Sequence, residues 1–217
     1  PKIVLAGFSA YSRELDYAKM KAIADEVGAY TVADVAHITG LVAAGVLKNP
    51  FDYGFDVMTM TTHKSLRGPR GGMVVVRESE EIAKKINKTV FPGIQGGPHM
   101  HAVAAKAVAF GEALTPQFKD YAAQVLKNAK AMEAVFKAAD IRLLAGGTDN
   151  HLLLADVYGS LGVTGQEAEE TLDEIGITLN KNMIADDPRT ALDPSGIRFG
   201  TPAMTTRNMK EIEATKI

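Results

Sequence analysis

Apolar residues recur along this chain in two rhythms. Ile3-Val4-Leu5-Ala6-Gly7-Phe8 is a continuous run, the pattern of a strand covered on both faces. Leu15, Ala18, Ala22, Ile23 and Val27 then follow at helical spacing, and Gly28 supplies the stop. Tyr30–Val35 reads as a second strand, Ile38–Gly45 as a compact helix of small residues, Phe55–Met60 as a third strand and Gly72–Val76 as a fourth. Strand, helix and strand in this order predict right-handed crossovers and a largely parallel sheet. The last two strands are joined too tightly for a crossover, so the fourth is predicted antiparallel to the third.

Beyond Phe91 the texture changes. The glycine- and proline-rich stretch "FPGIQGGPH" opens an alanine-rich helix over about His99–Leu114, and Pro116 starts a second, longer one. In that helix Phe118, Tyr121, Val125, Leu126, Ala129, Met132, Val135 and Phe136 keep three-to-four spacing. After Gly146-Gly147 a smaller α+β unit is predicted. It has strand Leu152–Val157, a helix capped by Thr164 with Glu167 three positions on, and strand candidates Ile177–Leu179 and Ile197–Phe199. The expected domains are residues 1–115, a connecting helix over 116–140 and a second domain over 141–217. The fold class is α/β.

Composition narrows the chemistry mainly by exclusion. With no cysteine among 217 residues there is no disulfide, thiolate nucleophile or cysteine-bound metal. A formal charge of −2 leaves no electrostatic footprint for nucleic acid, and no polybasic run addresses an anionic membrane. No apolar run is long enough to span a bilayer, and a cytoplasmic protein is the expectation. The chain enters on an apolar strand at Pro1 and leaves on the helical pattern "KEIEATKI", so a piece of a longer protein is expected.

Ligands of open parallel sheets bind beyond the carboxyl ends of the strands. Ser9 follows the first strand, Asp34 and His37 the second, and Thr61, Thr62, His63 and Lys64 the third. Lys64-Ser65 looks like the end of a phosphate loop, but Met58 and His63 occupy the positions that need glycine. No G-x-G-x-x-G follows a strand, and no G-x-S-x-G elbow is present. His99 and His101 lack a carboxylate at useful spacing, so no metal site is expected.

A carbonyl cofactor fits what is left. Pyridoxal phosphate needs a lysine amine, a carboxylate facing its ring nitrogen and donors for its phosphate; an arginine commonly takes the substrate carboxylate. An ionised Asp34 keeps such a nitrogen protonated. Lys64, crowded by Arg67 and Arg70, is favoured as the amine. Taken singly, Lys64 reads as a surface lysine, Asp34 as a helix cap, His37 as a structural histidine and Arg198 as one half of a surface ion pair. The residues by themselves leave both readings open.

The motifs "AGFSAYSRELD", "DVAHITGLVAAG", "TTHKSLRGPRGG", "FPGIQGGPH" and "SGIRFGTPA" stand in this order along the chain. In these the sequence resembles the serine hydroxymethyltransferases, and the resemblance runs essentially end to end. It implies the aspartate-aminotransferase-like fold (fold type I) of pyridoxal-phosphate-dependent transferases, with this chain covering the middle half of a member. The implied reaction moves the hydroxymethyl carbon of serine to tetrahydrofolate, giving glycine and 5,10-methylenetetrahydrofolate. By resemblance Lys64 carries the cofactor covalently and Asp34 pairs with its ring nitrogen. His37 touches the cofactor's phenolic oxygen and the substrate, and Ser9 bonds in the same region. Thr61 assists exchange at the lysine, His63 lies by the phosphate, and Gly97 offers its amide to the phosphate across a subunit interface. Arg198 clamps the amino-acid carboxylate, and Thr190, Ala191 and Leu192 contact folate.

The resemblance further implies a homodimer or homotetramer of the full-length protein. It also implies that this piece alone has little activity and holds the cofactor weakly. Met60 stands where family members commonly carry threonine. A folate-independent threonine-type aldolase of the same fold and a non-catalytic scaffold are the alternative expectations.

Overall fold

The computed structural model describes residues 1–217, in two compact units. The first comprises Pro1–Ser9 and Leu15–Lys119, the second Ala10–Glu14 and Asp120–Ile217.

In the first unit, β1 (Ile3–Ala6), β2 (Tyr30–Asp34), β3 (Val57–Thr61) and β4 (Gly72–Val76) form one sheet in that order. The first three strands are parallel and β4 runs antiparallel to β3. Period-two alternation decides what is buried. Ala6, Ala33, Met58 and Met60 share the inner face with Tyr17 and Phe55, whose rings meet edge-on at 5.4 Å. Met60, at the position commonly threonine in the resembling family, is simply part of this core.

The other face differs from expectation. Ile3 and Leu5 of β1 are 56% and 61% exposed, so the strand is apolar on both faces but covered on one. The same holds for Tyr30 on β2, register partner of Ile3. A continuous apolar run reports what a strand is suited to, and it cannot report whether both layers are supplied by the same stretch of chain.

Helix α1 (Tyr17–Glu26) starts where the Asp16 carboxylate accepts the Lys19 amide at 2.9 Å. It ends at Gly28, whose φ of 62° lets the Ala29 amide reach back to Ala24. The short α2 (Thr39–Ala43) follows β2. An exposed helix, α3 (Glu80–Lys88), was not expected from apolar spacing because it buries nothing. Its signals are the Ser79 cap, an acidic first turn and the Glu80–Lys84 and Glu81–Lys85 pairs. Helix α4 (Met100–Ala113) completes the unit, and α5 (Pro116–Ala138) begins just before its boundary.

The second unit is built on β5 (Leu152–Asp156), β6 (Asn180–Asn182) and β7 (Gly196–Gly200), all antiparallel, in the order β5-β7-β6. The expected strand over Ile177–Leu179 is displaced: pairing begins only at Asn180, opposite Arg198. Ile177 and Leu179 instead line an apolar hollow with Phe136 and Phe199, whose rings stack at 4.8 Å. Burial therefore explains the apolar residues that looked like a strand. Around the sheet lie α6 (Val157–Leu161), α7 (Gly165–Glu174), α8 (Pro202–Thr206) and α9 (Glu211–Ala214). The capping box on α7 forms in full between Thr164 and Glu167.

Polar groups on α5 tie this unit together. Buried Asn128 donates to the Thr205 hydroxyl at 2.9 Å and to the Met209 carbonyl at 3.0 Å. Buried Glu133 accepts from Lys130, Lys137 and the Thr148 amide. Its pKa is lowered to about 2: burial pushes it up, but the lysines and the amide outweigh that effect. No helix of the protein is long and apolar enough to cross a membrane.

Candidate active site

Three parallel strands deliver their carboxyl ends to one edge of the first sheet, and the expected residues lie there. Ser9 follows β1 and is exposed; Asp34 closes β2; Thr61 closes β3, with His63 and Lys64 next in the chain. Asp34 pairs in register with Thr59, so the acid and the lysine-bearing turn issue from adjacent strands.

Side-chain hydrogen bonds lock these strand ends. The Thr61 hydroxyl donates to the Ala36 carbonyl at 2.9 Å. The Ser65 hydroxyl donates to the His37 carbonyl at 2.8 Å and accepts the Gly40 amide at 3.0 Å. A Cβ on Gly40 would fall under 3.0 Å from the Ser65 carbonyl, so only glycine lets α2 lie this close to the lysine turn. Gly7 has the same role at the end of β1, where an added Cβ would meet the Asp34 backbone.

Asp34 is not the cap of α2. Its Oδ1 accepts the Ala36 amide at 2.9 Å in a local turn, and the helix starts at Ile38 without a side-chain cap. The carboxylate is exposed at the strand end. His37 and Lys64 are half-buried, and the Lys64 carbonyl accepts the Arg67 amide at 2.9 Å to close the turn. His63 engages the Gly71 backbone through Nδ1 and meets Arg70 at 3.3 Å through Nε2. The buried Thr62 hydroxyl donates to the Pro69 carbonyl at 2.7 Å, which holds the returning chain against β3. Gly97 lies in the exposed segment before α4 with a φ of 57°, and nothing surrounds its Cα within 4 Å on the side of a Cβ.

The remaining expected residues belong to the second unit. Arg198 is central on β7, with its Nε donating to the Asn180 side-chain oxygen at 3.0 Å. Burial alone pulls its pKa down from the ordinary value, and the guanidinium stays charged. Thr190, Ala191 and Leu192 form an exposed turn in which the Asp193 amide returns to the Thr190 carbonyl at 3.1 Å.

Sequence reasoning missed Ser65 and Asn180. Ser65 looked like part of a failed phosphate loop, and its actual partners lie 25 and 28 positions away. Asn180 is identified only by the register of β6 on β7.

The donor set suits pyridoxal phosphate. An amine, a carboxylate on the neighbouring strand and an imidazole on the segment after that strand are the groups a reactive aldehyde with a basic ring nitrogen requires. The close backbone approaches at Gly7 and Gly40 hold those groups at one rim. Lys64 would hold the aldehyde carbon and Asp34 the ring nitrogen.

Comparison with known proteins identifies the family. A family model described as serine hydroxymethyltransferase matches residues 1–217. A serine hydroxymethyltransferase of Legionella pneumophila (strain Corby) is 56% identical over 215 residues, covering 99% of this chain and 51% of the relative. Serine hydroxymethyltransferase 1 of Pseudomonas aeruginosa is 54% identical over 217 residues, 100% of this chain and 52% of the relative. A Francisella philomiragia relative of the same name is 55% identical over 217 residues, again 52% of its length. The chain thus spans about half the length of the curated relatives it matches. With the parallel sheet, the strand-end lysine and acid, and a family match along every residue in agreement, this chain belongs to the serine hydroxymethyltransferase family, a fold type I α/β lineage.

Proposed function

We propose that this chain carries the lysine-bearing part of an enzyme that interconverts serine plus tetrahydrofolate with glycine plus 5,10-methylenetetrahydrofolate. One observation carries the reading. Asp34 and the Lys64 turn leave adjacent parallel strands and are fastened together through Thr61 and Ser65. Bound there, pyridoxal phosphate supplies an electron sink for the bond broken at the substrate's α-carbon.

The chain's own residues do the rest. Asp34 holds a proton at the ring nitrogen by placing a negative charge beside it. Lys64 supplies the amine that anchors the aldehyde carbon, and Thr61 stands beside it at the end of β3. His37 and Ser9 offer polar contacts at the same rim, and His63 lies on the phosphate side. Arg198 binds the amino-acid carboxylate, a task suited to a planar guanidinium already oriented by Asn180. The Thr190–Leu192 turn meets the folate. Gly97, on an exposed segment beside Phe91 and Ile94 at 64% and 78% exposure, gives its amide to the phosphate of a second subunit in a homodimer or homotetramer. In this reading residues 1–115 complete a large cofactor domain, 116–140 connect, and 141–217 begin a small domain. The compartment is the cytoplasm.

The test is chemical trapping. Incubation with pyridoxal phosphate, reduction with borohydride and peptide mapping are expected to place the pyridoxyl group on Lys64. Lys64→Ala is expected to abolish that label and the yellow colour. Label spread evenly over surface lysines, or colour that survives in the variant, overturns the assignment. Serine cleavage that ignores added tetrahydrofolate identifies the aldolase alternative instead.

A further inference from the structure

Residues 183–195 link β6 to β7, and one carboxylate gathers them. Asp187 Oδ2 accepts the Ile184 amide at 3.1 Å and the Ser195 amide at 3.0 Å. Its Oδ1 accepts the Arg189 amide at 2.9 Å and the Ser195 hydroxyl at 2.6 Å. A carboxylate offers about four lone-pair sites, and donors take all of them. Both ends and the middle of the link therefore converge on a single side chain. Partial burial pushes the Asp187 pKa up, yet these donors outweigh it and hold the group down to about 2.

A second knot lies beyond. Arg189 donates to the Asp193 carbonyl at 3.0 Å, pairs with the Asp193 carboxylate and covers the Tyr158 ring at 4.7 Å. The Thr190–Leu192 turn stands inside this second knot, which is itself anchored to Asp187 through the Arg189 amide, and Leu192 is 80% exposed. No apolar core shapes that tip. Polar contacts to the chain on either side of it do.

We propose that Asp187 is a positioning residue that holds the Thr190–Leu192 turn in the conformation that receives the folate co-substrate. This rests on the reading that the turn meets folate. The effect is confined to the turn. β7 pairs with β5 on one side and β6 on the other, so the ladder fixes Arg198 against Leu154 and Asn180 without help from Asp187. The link has no ladder of its own apart from the Thr190–Asp193 bridge. Loss of the carboxylate therefore separates folate binding from amino-acid binding.

The experiment uses a full-length holoenzyme in which residues 1–217 replace the matching half of the Legionella pneumophila relative. Asp187→Asn keeps the shape but turns an NH2 group toward two donors. It is expected to raise KM for tetrahydrofolate at least ten-fold. KM for serine, and folate-independent cleavage of a β-hydroxy amino acid, should stay within two-fold. Ser195→Ala removes a single donor and should shift KM for tetrahydrofolate in the same direction by a smaller factor, which keeps the test alive if the first variant does not fold. An unchanged KM for tetrahydrofolate in a folded Asp187→Asn variant, or equal rises for both substrates, overturns the proposal.

Hydrogen exchange separates this from the reading beneath it. In Asp187→Asn the amides of Ile184, Arg189 and Ser195 should exchange at least ten-fold faster, with those of β5 unchanged. Unaltered exchange sinks the positioning role. Faster exchange in an enzyme indifferent to tetrahydrofolate sinks the folate reading alone.

Discussion

Gly40 shows how little at one residue decides the candidate site. Its missing Cβ is what allows α2 to touch the Ser65–Leu66 backbone, and so keeps His37 next to the lysine turn. Gly40→Ala is expected to cost about 1–3 kcal/mol through overpacking against backbone that has no room to yield. Gly111, inside α4 with open space around it, should respond in the opposite sense. Gly111→Ala is expected to stabilise by about 0.4–1 kcal/mol by restricting the unfolded chain. Urea denaturation of both variants checks the pair; equal effects would refute the steric account. The placement of Lys64 and Asp34 at strand ends, and of Arg198 on a strand, was legible in the sequence because each falls at the edge of or within a short apolar run. Ser65 was not, since its partners His37 and Gly40 are neighbours only after β2 and β3 pair.

Elements follow the strength of their local signals. The α7 capping box was legible because Thr164 and Glu167 satisfy each other's backbone amides without outside help. Thr164→Ala is expected to cost about 1 kcal/mol, and calorimetry of the purified chain would show it as a lowered Tm. A variant that melts with the parent would mean the cap is redundant with the packing of Gly165 against the Gly196 carbonyl. Where the signal was apolar spacing alone, the reading shifted. Ile177 and Leu179 alternate like a strand, yet their burial serves the hollow beside Phe136, and pairing passes to the polar Asn180–Asn182. Backbone ladders need a partner in register, and polarity at the paired positions does not prevent one. The exposed α3 was missed for the converse reason: it has caps and ion pairs but no apolar stripe.

At the scale of the whole molecule, charge links stability to pH. Glu133 and Asp187 both have folded pKa values lowered to about 2, against ordinary values of 4.5 and 3.8. Each folded pKa lies below its unfolded one, so the stabilisation is complete above about pH 4.5 and disappears as pH falls toward 2. Buried Glu133 contributes on the order of 3 kcal/mol by this linkage. Glu133→Gln is therefore expected to lose about that much at neutral pH and to flatten the decline between pH 4.5 and 2. Urea titrations across that range measure both; an acid limb as steep as the parent's would show that Glu133 does not drive it.

The order of strands and helices from β1 to β4, the antiparallel return of β4, the lysine and acid at strand ends and the capped α7 were determined by the sequence alone. Each depends on contacts within a few residues or on periodicities that one stretch of chain expresses by itself. Only the tertiary structure decided that Ile3, Leu5 and Tyr30 lie on an open face, that Ser65 fastens the lysine turn to His37, and that Asp187 gathers a link of the chain. Those outcomes depend on which distant segments meet, and a backbone amide or an apolar side chain can be satisfied equally well by many partners until the fold selects one.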